Sequence, residues 1–359
     1  MENNSALRSW FSSLSKDDVL TIAGPCSAET EEQVLKIAHE VKNTAKVFRA
    51  GIWKPRTRPG YFEGIGAVGL NWLQTVKKET GMLVATEVAS ALHVELALKH
   101  DIDILWIGAR STVSPFVVQE IAEALRGSDK PVLVKNPVNP DLALWLGAVE
   151  RFYACDVKNL GVIHRGFSTY EKTYYRNTPE WQIAIELQNE FPSLPLILDP
   201  SHIAGRRDAI FDLCQMALDL NYDGFIIETH NDPDNAWSDA AQQITPEHLA
   251  KIISRLTRRV KAVDNIEFQD SLNSLRAIIS ILDTQLIEIL VKRLAEVDKI
   301  GLLKKAHNVS VIQAERWTEV LKEMHLKSSG KGLSEEFIKA LFKVIHQESI
   351  DHQEKIFKN

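Results

Sequence analysis

The chain of 359 residues is 45% hydrophobic and 25% charged, with 42 Lys and Arg against 48 Asp and Glu and a net charge of −6. That is the composition of a soluble globular protein too long for one ordinary domain, so a division of roughly 250 plus 100 residues is expected. Neither part has the positive excess that nucleic acid or anionic lipid requires, because Lys and Arg stand to Asp and Glu as 28 to 33 over residues 1–262 and as 14 to 15 beyond.

The first residues, MENNSALRSWFSSLSKDD, hold no apolar stretch long enough for a signal peptide. No later run approaches the ~18 apolar residues that cross a membrane. Cys26, Cys155 and Cys214 are odd in number and lack disulfide-framework or CxxC spacing, so a cytoplasmic, reducing location is the expectation. From residue 19 eight short apolar, β-branched runs follow: VLTIAGP (19–25), KVFRAGI (46–52), MLVATEV (82–88), ILWIGAR (104–110), PVLVKNP (131–137), GVIHRGF (161–167), PLILDPS (195–201) and GFIIETH (224–230). Such runs read as parallel strands buried on both faces. Their starts lie 22 to 36 residues apart, with helical patterns such as EEQVLKIAHEVKNTA and EWQIAIELQNEF between them. The pattern predicts an α/β fold, a (β/α)8 TIM barrel over residues 1–262, with an open doubly wound sheet as the alternative.

Past residue 245 the pattern changes. TPEHLAKIISRLTRRVKAV reads as the last barrel helix, with Thr245 as N-cap and Pro246 in the first turn. Residues 263–270 read as a linker. From 271 to 359 a small all-helical domain is expected. Its apolar residues recur at helical spacing through Leu272, Leu275, Ile279, Leu282, Leu286, Ile289, Val297 and Ile300, with no Pro over 267–306. A rod of that length, about 60 Å at 1.5 Å per residue, exceeds what a small domain covers alone, so its stripe is expected against a second chain. Two more helical patterns follow, VIQAERWTEVLKEMHLKSS and SEEFIKALFKVIHQESIDHQEKIF.

Nearly every strand run ends in a residue able to do chemistry: Cys26, Arg49, Glu87, Arg110, Lys135, Arg165, His202, Glu228 and His230. A barrel gathers these positions at its C-terminal face, where such enzymes place their sites. Cys26, His202, Glu228 and Asp239 are candidate ligands for a borderline divalent ion such as Mn²⁺, Zn²⁺, Fe²⁺ or Co²⁺, with Mn²⁺ leading. Singly, each has a plainer alternative: a buried thiol, a turn histidine, an ion-paired Glu, a solvated Asp. Arg110, Lys135 and Arg165 close apolar runs, where phosphate or carboxylate ligands would offset the cost of a buried charge. Lys54–Pro–Arg56–Thr57–Arg58–Pro is a stiff basic loop suited to a sugar phosphate.

The motifs GPCS (24–27), FRAG (48–51), KPRTRP (54–59), ATEV (85–88), IGAR (107–110), LVKNP (133–137), HRGFS (164–168), DPSH (199–202), IIETH (226–230) and SDAAQ (238–242) resemble those of 3-deoxy-D-arabino-heptulosonate 7-phosphate (DAHP) synthases, in the short form of that family. The resemblance implies condensation of phosphoenolpyruvate with erythrose 4-phosphate. It places the metal on Cys26, His202, Glu228 and Asp239 and phosphoenolpyruvate on Arg110, Lys135 and Arg165, with Arg49 and Lys54 near by. The aldose falls to Lys54, Arg56 and Thr57, and water orientation and proton movement to Glu87 and Lys54. The related octulosonate 8-phosphate synthases carry an Asn-containing loop where this chain has KPRTRP, so the loop favours erythrose 4-phosphate over arabinose 5-phosphate.

In the tail, Arg293 and Lys304 fall on the apolar stripe, about 20° and 16 Å apart. Arg276 lies about 25 Å before Arg293 on the same rod and reaches a shared small ligand only from a second chain. With SLR (274–276), ER (315–316), Ser349 and Gln353, residues 271–356 resemble the all-helical, intertwined-dimer chorismate mutases. That resemblance implies rearrangement of chorismate to prephenate without a cofactor. Arg276 of the partner and Arg293 would hold carboxylates, Lys304 and Gln353 the breaking ether oxygen, with Arg316 and Ser349 in the site. Trp317 and Gln313 stand where the family has acidic residues near the substrate hydroxyl. A purely dimerising, ligand-sensing tail and an isochorismate pyruvate-lyase are the alternatives, and a late pathway intermediate regulating the barrel follows from the fusion. A homodimer through the tail is expected, extendable to a tetramer.

Overall fold

The computed structural model describes residues 6–15, 19–55, 60–170, 173–259, 265–312 and 314–358. The chain divides into two compact units, residues 1–261 and 262–359.

The first unit is a closed barrel of eight parallel strands paired in sequence order: β1 (Leu20–Gly24), β2 (Val47–Arg49), β3 (Leu83–Val88), β4 (Ile104–Ile107), β5 (Val132–Lys135), β6 (Leu160–His164), β7 (Leu196–Leu198) and β8 (Gly224–Glu228). Closure comes from β1 against β8, with Leu20 opposite Gly224 and Gly24 opposite Glu228. That pairing excludes the open sheet. Before β1, helix α1 (Ala6–Ser15) lies across the barrel's N-terminal end. Its Trp10 and Phe11 are buried against Leu20, Ile22, Ile104 and Ile163, and Trp10 Nε1 donates to Leu160 O at 3.1 Å. Helices between strands form the outer ring: α2 (Glu31–Val41), α3 (Val68–Thr80), α4 (Ala91–Lys99), α5 (Ala109–Thr112), α6 (Pro115–Ala124), α7 (Leu142–Ala154), α8 (Trp181–Glu190), α9 (Pro200–Ala204), α10 (Ile210–Asp219) and α11 (Pro246–Arg255).

Successive side chains of a strand point to opposite faces, and here the two sets fall into two separate cores. Val47, Ala85, Trp106, Leu133, Ile163, Ile197 and Ile226 fill the barrel interior. Phe48, Val84, Leu105, Val134, Val162, Leu198 and Phe225 pack outward against helices. Two residues beyond the interior set stand Arg49, Glu87, Gly108, Lys135, Arg165, Asp199 and Glu228. The site is therefore the next layer of the barrel interior, laid on an apolar floor.

Thr245 caps α11 as expected, accepting from His248 N at 3.2 Å. The helix stops at Arg255, short of the expected end, because Leu256 is extended with ψ 138°. In the second unit, α12 (Ile266–Ala306) runs 41 residues. It starts inside the expected 263–270 linker: Asn265 Oδ1 accepts from Phe268 N at 2.9 Å and caps the first turn, so residues 266–270 are helical. α13 (Ala314–Ser328) and α14 (Glu335–Lys358) follow. At Gly301 a Cβ would lie 3.0 Å from Ile356 Cδ1 and 3.2 Å from Gln353 Cγ, so the missing side chain lets α12 and α14 approach closely. Val297 and Gly301 are the buried residues of α12, whereas Leu275, Ile279, Leu282 and Leu286 on its first half are exposed, as is Ile289 just beyond.

Candidate active site

At the C-terminal end of the barrel the acidic and thiol groups meet first. Cys26 Sγ, a Glu228 carboxylate oxygen and an Asp239 carboxylate oxygen lie within 4.8 Å of one another. His202 Nε2 is 3.8 Å from Glu228 Oε1. One thiol, one imidazole and two carboxylates suit a borderline divalent ion. A hydrogen-bonded frame holds the set. Cys26 N donates to Gln243 Oε1 at 2.9 Å, and Gln243 Nε2 donates to Ser238 O at 2.8 Å. One buried amide thus ties the end of β1 to the loop that carries Asp239. Gln242 Nε2 donates to Glu228 Oε2 at 2.7 Å. Asp239 takes φ 48°, a left-handed conformation that Asp tolerates better than most residues.

Asp199 sits directly behind His202. Its Oδ2 is 2.8 Å from His202 Nδ1 and 2.7 Å from Lys135 Nζ. A carboxylate on one imidazole nitrogen fixes the ring and leaves the other for a metal. Burial alone would raise the Asp199 carboxyl, but His202 and Lys135 together hold it well below the usual carboxylate range. Glu228 is likewise lowered, as His202 and Arg49 outweigh its burial. Burial, then the neighbouring Glu228, pushes the Cys26 thiol up to about 12. Lys54 Nζ stands 2.8 Å from Cys26 Sγ, and Arg176 donates to Asp239 at 2.9 Å and to Gln242 at 2.7 Å.

Around this set lies an open pocket lined by Lys54, Glu87, Arg110, Lys135, Arg165, His202 and Asp239. Glu87 is held by Trp106 Nε1, which donates to its Oε2 at 3.0 Å. A Cβ on Gly108 would fall 2.1 Å from Glu87 Oε1, so only glycine admits that carboxylate here. Arg165 donates to Asn177 Oδ1 at 2.9 Å, and burial brings its guanidinium down to about 10. Lys135 lies 5.9 Å and Arg49 4.8 Å over the Trp106 ring.

Arg49, expected near phosphoenolpyruvate, stands over the same Trp106 ring as Lys135 and is not itself among the residues that line the open pocket. It is 2% exposed, paired with Glu228 at 3.2 Å and donating to Cys26 O at 3.0 Å. It balances the buried carboxylate beneath the ligand set. Arg56 and Thr57, expected at the aldose, lie outside the described residues. Asp199 and Arg176 were not anticipated. Asp199 follows the inward row of β7 by two residues, as Glu228 follows that of β8, and that parity identifies it. Arg176 lies in a loop and has no comparable sequence signal.

The helical unit holds a second pocket, lined by Arg293, Lys304, Arg316, Ser349 and Gln353, all five anticipated, together with Trp317 and His346. Arg293 donates to Ser349 Oγ at 2.7 Å, and Lys304 to Val311 O at 2.7 Å. Burial lowers both cations from their usual values. Gln353 Nε2 donates to Ser349 O at 3.3 Å, while its Oε1 is buried without a partner. Trp317 stacks on His346 with centroids 4.1 Å apart and planes 11° apart. Arg276 does not line this pocket, as the rod geometry requires within one chain. Gln313 lies outside the described residues.

Residues 13–262 match the family model described as the DAHP synthetase I family, and residues 275–354 match chorismate mutase type II. The chain is 32% identical over 245 residues to a phospho-2-dehydro-3-deoxyheptonate aldolase of Thermotoga maritima, covering 67% of this chain and 70% of that protein. It is 30% identical over 269 residues to a 2-dehydro-3-deoxyphosphooctonate aldolase of Desulfatibacillum aliphaticivorans, covering 68% and 93%. A crystal structure of the Thermotoga maritima DAHP synthase matches with a TM-score of 0.60 at 30% identity, over 66% of this chain and 67% of that one. A truncated form of the same enzyme gives 0.58 at 27% identity, over 72% and 87%.

Proposed function

We infer the chemistry of this chain from one premise: it belongs to the DAHP synthetase I family and carries a chorismate mutase type II domain. The barrel condenses phosphoenolpyruvate with erythrose 4-phosphate to DAHP and phosphate, and the helical unit rearranges chorismate to prephenate. The observation that carries the first activity is the meeting, in one pocket, of a thiol–imidazole–carboxylate set with Lys135, Arg165 and Arg110.

In this proposal Lys135, Arg165 and Arg110 grip the phosphate and carboxylate of phosphoenolpyruvate, Arg by paired donors and Lys as a point charge. Cys26, His202, Glu228 and Asp239 hold a divalent ion, Mn²⁺ first among the candidates, which supplies Lewis-acid polarisation of the aldehyde. C3 of phosphoenolpyruvate forms the new bond to the aldehyde carbon. Lys54, beside the ligand set, provides the proton for the resulting oxygen. Water adds at C2, oriented and deprotonated by Glu87, which Trp106 aims into the pocket. Loss of phosphate from C2 then leaves the keto group. The Lys54 loop assigns the aldose.

Phosphoenolpyruvate consumption is measured with erythrose 4-phosphate, first metal-free and then with metals restored. Turnover is expected only with metal, and Cys26→Ala is expected to be inactive. Full turnover in excess chelator would remove the metal from this account. Faster turnover with arabinose 5-phosphate would reassign the aldose.

In the second pocket Arg293 holds a substrate carboxylate, with Arg316 and Ser349 beside it. Lys304 and Gln353 donate to the ether oxygen as its C–O bond breaks. The uncovered apolar half of α12 supports a homodimer in which Arg276 enters the partner's pocket. Among the described residues no helix is long and apolar enough to cross a membrane, in keeping with a cytoplasmic enzyme. Prephenate formation by the full chain tests this activity, and chorismate binding without turnover would leave the tail a sensor.

A further inference from the structure

We propose that His346 is a specificity-determining residue of the helical unit, the side chain that accepts a hydrogen bond from the ring hydroxyl of the substrate. This rests on the assignment of chorismate to that pocket. Chorismate is a dianion with one hydroxyl and one ether oxygen. The pocket is cationic, with Arg293 and Lys304 on α12 and Arg316 on α13, and no carboxylate is among its described lining residues. Cations serve the two carboxylates, and donors serve the ether oxygen. The hydroxyl is the one group that needs an acceptor, and leaving its hydrogen unpaired in a closed site is costly.

Three of the described lining side chains offer one. Ser349 Oγ is already used, accepting from Arg293 and donating to Ile345 O at 2.7 Å. Gln353 is 8% exposed, spends one N–H on Ser349 O and leaves the other for the ether oxygen, while its Oε1 is buried with no surface open to the pocket. His346 remains. Its ring nitrogens make no hydrogen bond within the described residues, so they are available at the ring edge while one face lies on Trp317. Burial, then Arg293 and Lys304, lowers its pKa, which keeps the ring neutral with a free lone pair. Trp317 has only an N–H donor and cannot serve as acceptor. Its indole instead fixes the plane of the imidazole. The acceptor that the resemblance places on the second helix of the unit is thus supplied from α14, and α13 contributes the platform.

Two variants of the full chain separate acceptor from ring. His346→Phe keeps a ring for Trp317 and removes the lone pair, and His346→Gln keeps an acceptor and removes the ring. Each is assayed for kcat/KM on chorismate and on 4-deoxychorismate, which lacks the hydroxyl, with helicity checked by circular dichroism. His346→Phe is expected to lose about tenfold to thirtyfold on chorismate, so that the preference for chorismate over its deoxy analogue collapses, and His346→Gln to retain most of it. Equal losses on both substrates, or a defect in His346→Gln but not in His346→Phe, would overturn the assignment of the hydroxyl. Absence of prephenate from the unaltered chain would instead overturn the assignment of the pocket, and this inference with it.

Discussion

Replacing His164 with Gln is expected to flatten the acid limb of the barrel's stability. His164 closes β6 directly before Arg165 and is fully buried. Its Nδ1 accepts from the Tyr222 hydroxyl at 2.7 Å and its Nε2 donates to Pro179 O at 2.5 Å, among the rings of Trp145, Phe167 and Trp181. Burial lowers its pKa to about 4, from an unfolded value of ~6.5. Below pH ~6.5 the unfolded chain therefore takes up a proton that the folded barrel refuses until about pH 4. The stabilisation is complete above ~6.5 and is lost as pH falls towards 4. At ~1.4 kcal/mol per unit it amounts to about 3 kcal/mol, about 2.5 kcal/mol of it already lost by pH 4.5. Urea unfolding followed by tryptophan emission at pH 7.5 and 4.5 measures it, since seven of the eight tryptophans precede residue 262. The unaltered chain should lose about 2.5 kcal/mol more than His164→Gln between these pH values. Equal losses in the two proteins would refute a neutral, charge-excluding site for this imidazole.

Three further outcomes follow from the geometry. Gly108→Ala places a Cβ 2.1 Å from Glu87 Oε1, so Glu87 must turn away. Steady-state synthase assays should find kcat down at least about tenfold, and an unchanged kcat would exclude Glu87 from the chemistry. Gln243→Leu removes the amide shared by Cys26 N and Ser238 O and should weaken metal binding roughly tenfold to a hundredfold, read by chelator competition; an unaltered dissociation constant would refute its framing role. Arg276→Ala and Arg293→Ala should each abolish mutase turnover. Refolded together they should recover about a quarter of it, because half the dimers then carry one intact site of two. No recovery from confirmed mixed dimers would exclude a site shared between chains.

Much of the barrel was legible because its strands are buried on both faces, which makes each an unbroken apolar run such as PLIL or GFII. The ends of these runs named most of the pocket. What they did not reveal was direction. Arg49 and Lys135 both close strands, yet Arg49 turns under Glu228 of β8 and Lys135 lines the opening beside Asp199, and each carboxylate comes from a strand that is not its neighbour in the barrel. Asp199 was hidden by its place in a Pro-Ser turn, although its spacing from Ile197 points it inward. Arg176 depends wholly on Asp239 and Gln242, which are distant in sequence. In the tail, the length of α12 was plain from the absence of helix breakers, whereas Asn265 read as loop although it is the cap. His346 sits in KVIHQES, where nothing distinguishes a pocket-lining imidazole from an ordinary helix-surface one.

The two-residue parity that carries the barrel's inward rows up into Glu87, Lys135, Asp199 and Glu228 also constrains how this chain can change by descent. Loops of altered length leave each of these positions on its own face of the barrel. A single residue inserted within β5 would carry Lys135 from the interior to the helix side, and the same holds for the other strands, since one step along a strand reverses every face. Lineages of this barrel can therefore explore new substrates by rewriting loops, such as the one that begins at Lys54, while insertions and deletions stay confined to the segments outside the strands.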